Sequence, residues 1–212
     1  SLHDLARVTT QGRGSHAAAL SGLDRLRRHG VACNVLTLVS RNNVDKPLEV
    51  YSFLMDHGVD YHQYIECVEF DESGRLMPYA ISGEAWGHFL RHIFDRWYAR
   101  DVRRISVRLF DTILTRLLDG ISNTCSCGTD CRQYYVVEHN GDVYPCDFFV
   151  TPQLRLGNIM NDGWEDLHRS ELYRRFGARK MMLPELCRTC AYLSFCNGDC
   201  PKNRVGMHAG QF

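Results

Sequence analysis

Eight cysteines lie between positions 125 and 200, and seven of them are spaced Cys125-x5-Cys131-x14-Cys146 and then Cys187-x2-Cys190-x5-Cys196-x3-Cys200. Thiols set this closely converge on a metal centre. Iron–sulfur clusters take four cysteine thiolates each, and a C-x2-C step lets one turn present two sulfurs to adjacent irons. Zinc is the rival, because Cys187, Cys190, Cys196 and Cys200 also have spacings that a tetrahedral Zn²⁺ site accepts. Disulfides fit poorly, since they staple small secreted scaffolds and this chain has a long apolar first half. Cys127 is a further thiol that breaks the spacing pattern. Asp147 follows Cys146 directly, which offers a carboxylate beside a metal site as a base; a solvated or structural aspartate is the plainer alternative.

Composition narrows the remaining choices. The chain has 212 residues, 44% of them apolar, and 25 Lys plus Arg balance 25 Asp plus Glu. That balance gives no reason to expect nucleic acid or an anionic membrane as partner. No apolar run approaches the roughly 18 residues of a membrane span, and Ser1-Leu2-His3-Asp4 lacks the layout of a signal peptide, so a cytoplasmic protein is expected. In a reducing cytosol, crowded cysteines point to metal. Cys33 and Cys67 sit inside strand-like runs and read as small buried apolar residues.

The elements that must position these groups change character along the chain. Residues 1 to 119 alternate helix-like and strand-like segments. Ser15 is placed to cap a helix through Leu20, Leu23 and Leu26 that ends at Gly30. The run Val31 to Val39 predicts a parallel strand buried on both faces. Pro47 suits the first turn of a second helix carrying Leu48, Tyr51, Leu54 and Met55, closed by Gly58 before a strand from Tyr61 to Glu69. Ser82 introduces a helix with Trp86, Phe89, Leu90, Ile93, Phe94 and Trp97 at spacings of three and four, an aromatic stripe that belongs to a core. Such alternation predicts a parallel sheet with chemistry at the carboxyl ends of its strands. From residue 120 to 212 the elements are short, with a hairpin of Tyr134 to His139 and Asp142 to Phe149 around Asn140-Gly141, a dipeptide suited to a type I′ turn.

Together these strings resemble the anaerobic sulfatase-maturating enzymes, radical S-adenosylmethionine (SAM) proteins with a C-terminal SPASM domain. The carriers are Gly-Arg-Gly-Ser at 12–15, Asn34-Val35-Leu36-Thr37, Gln63-Tyr64-Ile65 with Val68-Glu69, Gly141-Asp142-Val143-Tyr144-Pro145-Cys146-Asp147 and Cys196-Asn197-Gly198-Asp199-Cys200-Pro201-Lys202. The last two are specific. The resemblance implies an α/β fold, the C-terminal part of a partial (β/α)6 barrel at 1–119 followed by a small cysteine-rich SPASM domain at 120–212.

It also implies site residues and cofactors. Two auxiliary 4Fe–4S clusters are expected, one on Cys125, Cys131, Cys146 and Cys200, the other on Cys187, Cys190 and Cys196 plus a cysteine expected beyond Phe212. Cys127 is a poor stand-in for that last ligand. No C-x3-C-x2-C motif for the SAM-cleaving cluster occurs, so the resemblance makes the chain a C-terminal portion, inactive alone. Arg13, Ser15 and Ile65 are implied in SAM binding, although Ser15 also reads as a helix cap and Ile65 as core; Gln63 and Glu69 are weaker candidates for the same mouth. Asp147 is implied as the base in converting a cysteine or serine of a sulfatase polypeptide to Cα-formylglycine, with an electron donor such as flavodoxin or ferredoxin as partner. Another SPASM-type peptide maturase and a non-catalytic zinc-binding module are the alternatives.

Overall fold

Glycines end the first two helices and feed the first two strands. α1 (His16–Arg28) stops before Gly30 at φ 67°, and the chain enters β1 (Val35–Val39). α2 (Pro47–Asp56) has proline in its first turn and Gly58 at φ 62° after its end, before β2 (Tyr61–Glu66). These positive φ values are cheap only without a Cβ. α3 (Gly83–Arg100) opens at Ser82, whose Oγ accepts from Ala85 N at 3.2 Å, and β3 (Ser106–Val107) follows it. The three strands are parallel in the order β1-β2-β3. The computed structural model describes residues 1–204, which fall into two compact units, Ser1–Asp111 and the chain from Thr112 onward.

Strand pairing separates two faces in the first unit. His62 and Tyr64 turn inward with Val39 and Val107 against Tyr51, Leu54, Phe89, Ile93 and Trp97. The opposite parity carries Leu36 paired with Gln63 and Leu38 paired with Ile65. The first strand is therefore not buried on both faces: it covers only 35–39, and Leu36 and Leu38 are 57% and 52% exposed. Helices pack one side of this sheet, and β1 is an edge strand. The aromatic stripe of α3 does join the core, except that Phe94 is partly exposed, as is Leu48 on α2.

The cap expected from Ser15 is made by another residue. Ser15 Oγ donates to Arg7 O at 3.0 Å and meets His3 Nε2 at 2.9 Å, while Asp4 Oδ1 accepts from His16 N at 2.9 Å. The bridge of Val8 with Gly14 folds the leading segment back, which brings the Asp4 carboxylate to the helix end. The negative charge suits the positive end of the helix dipole.

α4 (Arg108–Asp119) begins in the first unit and ends in the second, where a 3₁₀ turn at Cys125–Cys127 follows and β4 (Val136–Val137), β5 (Asp142–Tyr144) and β6 (Gly157–Asn158) form an antiparallel sheet in that order. The hairpin is real but shorter than expected, and its turn is not type I′. Gly141 N donates to Glu138 O at 2.8 Å and Gly141 takes φ 84°, whereas Asn140 does not have positive φ. A three-residue loop with one left-handed glycine fits a bulged turn, and Asn140 Oδ1 instead accepts from Asp142 N. α5 (Trp164–Arg169), α6 (Glu171–Ala178), α7 (Glu185–Arg188) and α8 (Leu193–Cys196) complete the described chain. Cys146, Phe149, Leu154 and Phe176 form the local core, with Cys131 and Leu172 against it.

Asp101 locks the first unit. It is nearly fully buried at the end of α3, accepts from Tyr51 Oη at 3.1 Å and from Arg104 Nη2 at 2.8 Å, and faces Arg96 Nε at 3.6 Å. Burial pushes its carboxyl up, but the Arg104 and Tyr51 bonds and both guanidinium charges outweigh this and hold it below the usual aspartate value. A depressed carboxyl stabilises the fold above its unfolded value, near 3.9, and the contribution fades as pH falls through the folded value. Asp101→Asn should therefore lower stability by about 2 kcal/mol at pH 7, and by less as the pH approaches 3, in urea titrations at the two pH values.

Candidate metal centre

Four cysteines arrive from three loops, with Cys125 and Cys131 sharing the connection between α4 and β4. Cys125 opens the 3₁₀ turn at Cys125–Cys127. Cys131 lies where the chain passes close to α6: its N–H donates to Gly177 O at 3.4 Å, and a Cβ on Gly177 would meet Arg132 Cγ at 2.7 Å. Cys146 stands two residues past β5 in extended backbone, before the 3₁₀ turn Asp147–Phe149. Cys200 follows Asn197, Gly198 and Asp199, which all have positive φ, 49°, 77° and 53°. Asparagine, glycine and aspartate are the residues that best tolerate this conformation.

Charges of this set reach one another: Cys125 and Cys146 act on Cys131, and Cys125 and Cys131 on Cys200. Burial pushes the Cys131 thiol up, opposed by the charge of Lys180, while Cys146 and Cys125 push it further. Burial likewise takes Cys200 up to about 11, opposed by a backbone hydrogen bond from Lys202, with Asp199, Cys125 and Cys131 acting in the same direction as burial. Cys146 is pushed up to about 11, chiefly by burial, against hydrogen bonds from the Phe148 N–H and the Tyr134 hydroxyl. A buried thiol held this high gives up its proton when a cation takes the proton's place, as metal ligation requires. The donor set is all sulfur and partly dry, which fits an iron–sulfur cluster. Among the described residues no three or more His, Cys, Asp or Glu side chains are drawn in around a single metal ion. Thiolates on a 4Fe–4S cluster stand on separate irons and need not be that close.

The second set follows one stretch of consecutive turns. Cys187 N donates to Pro184 O, Cys190 N to Cys187 O and Cys196 N to Tyr192 O, at 2.9, 3.2 and 3.2 Å. Cys190 is exposed, and Cys187 and Cys196 are half-buried. α8 packs on the turn at Cys125–Cys127, and Asn197 Nδ2 donates to Cys127 O at 2.7 Å. Phe212, after which a further ligand is expected, lies outside the described residues.

Asp147 is exposed beside this centre. Its Oδ1 accepts from Tyr134 Oη at 3.2 Å and lies 3.4 Å from Cys146 Sγ, while Tyr134 Oη is 3.6 Å from the same sulfur. Tyr134 was not singled out by the sequence reading, because a tyrosine at the start of a hairpin reads as ordinary strand. In the other unit, Arg13 Nη2 donates to Gln11 Oε1 at 2.7 Å just ahead of α1, beside Ser15. Ile65 is half-buried on the more open face of β2, and Gln63 on that face accepts from Asn34 Nδ2 at 3.4 Å. Cys67 is buried and Cys33 half-buried, each next to a strand end rather than inside a strand.

Gly198 gives the tightest test of the loop that presents Cys200. A Cβ there would collide with Leu183 Cδ2 and stand 2.9 Å from Arg204 Nη2, in a backbone conformation that alanine resists. Gly198→Ala should cost about 2 kcal/mol in urea unfolding, since strain of this kind costs roughly 1 to 3 kcal/mol.

Comparison with known proteins agrees with this geometry. Residues 125–191 match the SPASM iron–sulfur cluster-binding domain. A serine-type anaerobic sulfatase-maturating enzyme from Bacteroides thetaiotaomicron is 34% identical, over 98% of this chain and 54% of its own length. A cysteine-type enzyme from Clostridium perfringens is 28% identical, over 96% of this chain and 56% of its own. The chain thus spans about half the length of these curated relatives. The solved structure of native anSMEcpe with bound AdoMet and Cp18Cys peptide superposes with a TM-score of 0.89 at 27% identity, over 98% of this chain and 58% of that one. Streptococcus suis SuiB bound to S-adenosylmethionine shares the fold alone, with a TM-score of 0.59 at 15% identity over 90% of this chain and 45% of that one. The parallel sheet is consistent with part of an α/β radical SAM fold, and by sequence and fold the chain is a relative of the anaerobic sulfatase-maturating enzymes, with a SPASM match over residues 125–191.

Proposed function

We propose that the chain is part of a radical SAM enzyme that oxidises a cysteine or serine of a sulfatase to Cα-formylglycine. The observation that carries this reading is the cysteine set Cys125, Cys131, Cys146 and Cys200, three of them buried or half-buried, with the Asp147 carboxylate 3.4 Å from Cys146 Sγ, in a chain similar over 98% of its length to a sulfatase-maturating enzyme. In this reading residues 1–119 supply the barrel portion and 120–212 the SPASM domain. The first auxiliary cluster is held by those four cysteines, and Cys187, Cys190 and Cys196 contribute three ligands to a second. Bound there, the clusters supply one-electron acceptance.

Once a hydrogen atom has left Cβ of the target residue, the substrate must lose one proton and one more electron; a serine then becomes the aldehyde directly, whereas a cysteine becomes a thioaldehyde that water converts to the aldehyde with release of hydrogen sulfide. Asp147 takes the proton. All its described contacts are to Oδ1, so among the described residues Oδ2 is left to face a substrate, and the Tyr134 hydroxyl fixes the plane of the carboxylate. Arg13 and Ser15 ahead of α1 and Ile65 on β2 are assigned to SAM. The Ser15 hydroxyl is committed to Arg7 O, so Arg13 is the better partner for the SAM carboxylate. The protein partners are the sulfatase polypeptide and a flavodoxin- or ferredoxin-type reductant. Both serine-type and cysteine-type relatives align with the chain, so similarity does not choose between the two target residues.

The test uses the intact protein, prepared anaerobically and supplied with a reductant and SAM, on peptides containing Cys-x-Pro-x-Arg or its serine counterpart. A formylglycine mass change on one peptide is expected, and none on either sinks the sulfatase reading. Asp147→Asn should lower product yield by at least roughly tenfold with iron and sulfide content unchanged, the scale on which removal of a general base acts. Unaltered turnover removes the role assigned to Asp147.

A further inference from the structure

Two cations of the second unit are buried without carboxylate partners. Lys180 is 0% exposed and Arg204 5% exposed. Among the described residues neither forms an ion pair. Lys180 Nζ donates to Ser126 O at 2.6 Å and to Asp199 O. Arg204 donates to Gly198 O at 2.8 Å, Lys180 O at 2.9 Å, Asp199 O at 3.1 Å, Met182 O at 3.2 Å and Asn197 O at 3.3 Å. Asp199 is the acidic group that acts most on Lys180, but its Oδ2 also accepts from Asn203 Nδ2 at 3.0 Å, and one carboxylate does not balance two cations.

Carbonyl dipoles satisfy the donors, but they do not neutralise the charge. An uncompensated cation in a dry interior is costly, and replacement by a well-packed apolar side chain is usually tolerated or favourable. A buried anion nearby removes that cost. The carbonyls that these cations hold belong to Ser126, next to Cys125, and to Asn197, Gly198 and Asp199, the turn between Cys196 and Cys200. Four thiolates on a 4Fe–4S core make a net anion, and reduction adds one more negative charge.

We infer that Lys180 and Arg204 are the built-in counter-charge of the cluster held by Cys125, Cys131, Cys146 and Cys200, and that they raise its reduction potential while fixing the two ligand loops. The inference rests on the iron–sulfur reading above. The sign follows from Coulomb's law: a fixed positive charge favours the more negative, reduced state, and does so more strongly in a low-dielectric site. The two residues are positioning and tuning groups, since neither touches the substrate.

Lys180→Gln in the intact protein tests this, because it keeps a donor for the carbonyls and removes the charge. Iron and sulfide content is measured together with an EPR-monitored redox titration, following the signal that Cys146→Ala abolishes. The expected result is a retained cluster that is harder to reduce, with the reduced-to-oxidised ratio at fixed potential falling about tenfold, or ~59 mV for one electron. Lys180→Arg should stay near the parent potential. A retained cluster in Lys180→Gln with unaltered potential overturns the inference and leaves the iron–sulfur reading standing. If Lys180→Gln loses its cluster while Lys180→Arg keeps it, the need for charge is supported; if both lose it, the site requires the shape of lysine and the inference fails. A parent protein that takes up zinc and no iron overturns the cluster reading itself, and the tuning with it.

Discussion

The second unit depends on one buried ammonium group. Lys180 Nζ bridges the carbonyls of Ser126 and Asp199, which come from opposite ends of the cysteine-rich segment. A charge in a dry interior cannot leave its acceptors without a large desolvation penalty, so the two loops are tied together by the cost of separating them. Arg204 adds a second anchor through five carbonyls on two segments, 180–182 and 197–199. The left-handed run Asn197-Gly198-Asp199 lets three successive carbonyls reach these two cations, and Gly198 is the member that has no room for a side chain.

With the loops fixed, cysteines become part of the core. Cys146 packs with Phe149, Leu154 and Phe176, and Cys131 lies against the same cluster. Arg179 stacks over Phe149 and Phe176 at 4.9 and 5.6 Å. Thiols behave as small apolar groups when protonated and as anions when ligated, so the same packing serves both forms only if cations stand by for the second. Asp147 and Tyr134 mark the wetter side of this arrangement, where a carboxylate remains exposed next to a buried sulfur.

The first unit shows a complementary economy. Its polar bridges lie on the helix side of the sheet: Asp101 with Tyr51 and Arg104, Trp97 Nε1 on Ile105 O at 2.7 Å, and His62 between Tyr64 Oη and Val59 O at 3.0 and 2.9 Å. The other side carries Leu36, Leu38, Gln63 and Ile65, largely or partly open. Helices on one face give a complete core with only three strands, and the second face keeps a mixed apolar and polar lining.

Much of this was legible from residue order. Helix starts at Pro47 and Ser82, stops at Gly30 and Gly58, and the core stripe of α3 follow from local rules about capping, left-handed glycine and helical period, which act within a few residues. Cysteine spacing with Pro-Cys-Asp and Cys-Asn-Gly-Asp-Cys-Pro-Lys pointed to a SPASM domain, because ligand loops are short and their chemistry is local. The exposure of Leu36 and Leu38 was not legible, since an apolar strand reads the same whether one face or two are covered. Nor was the cap at α1, where Asp4 displaces Ser15 through a fold-back of twelve residues. Lys180 and Arg204 were the least visible, because lysine and arginine in polar turns read as solvated, and only tertiary packing, which brings Lys180 to a carbonyl 54 residues away in sequence, buries them and gives them carbonyl partners. Sequence determined which groups can ligate and which turns present them; the fold decided which cations stand behind them, because burial and charge compensation are properties of the packed interior.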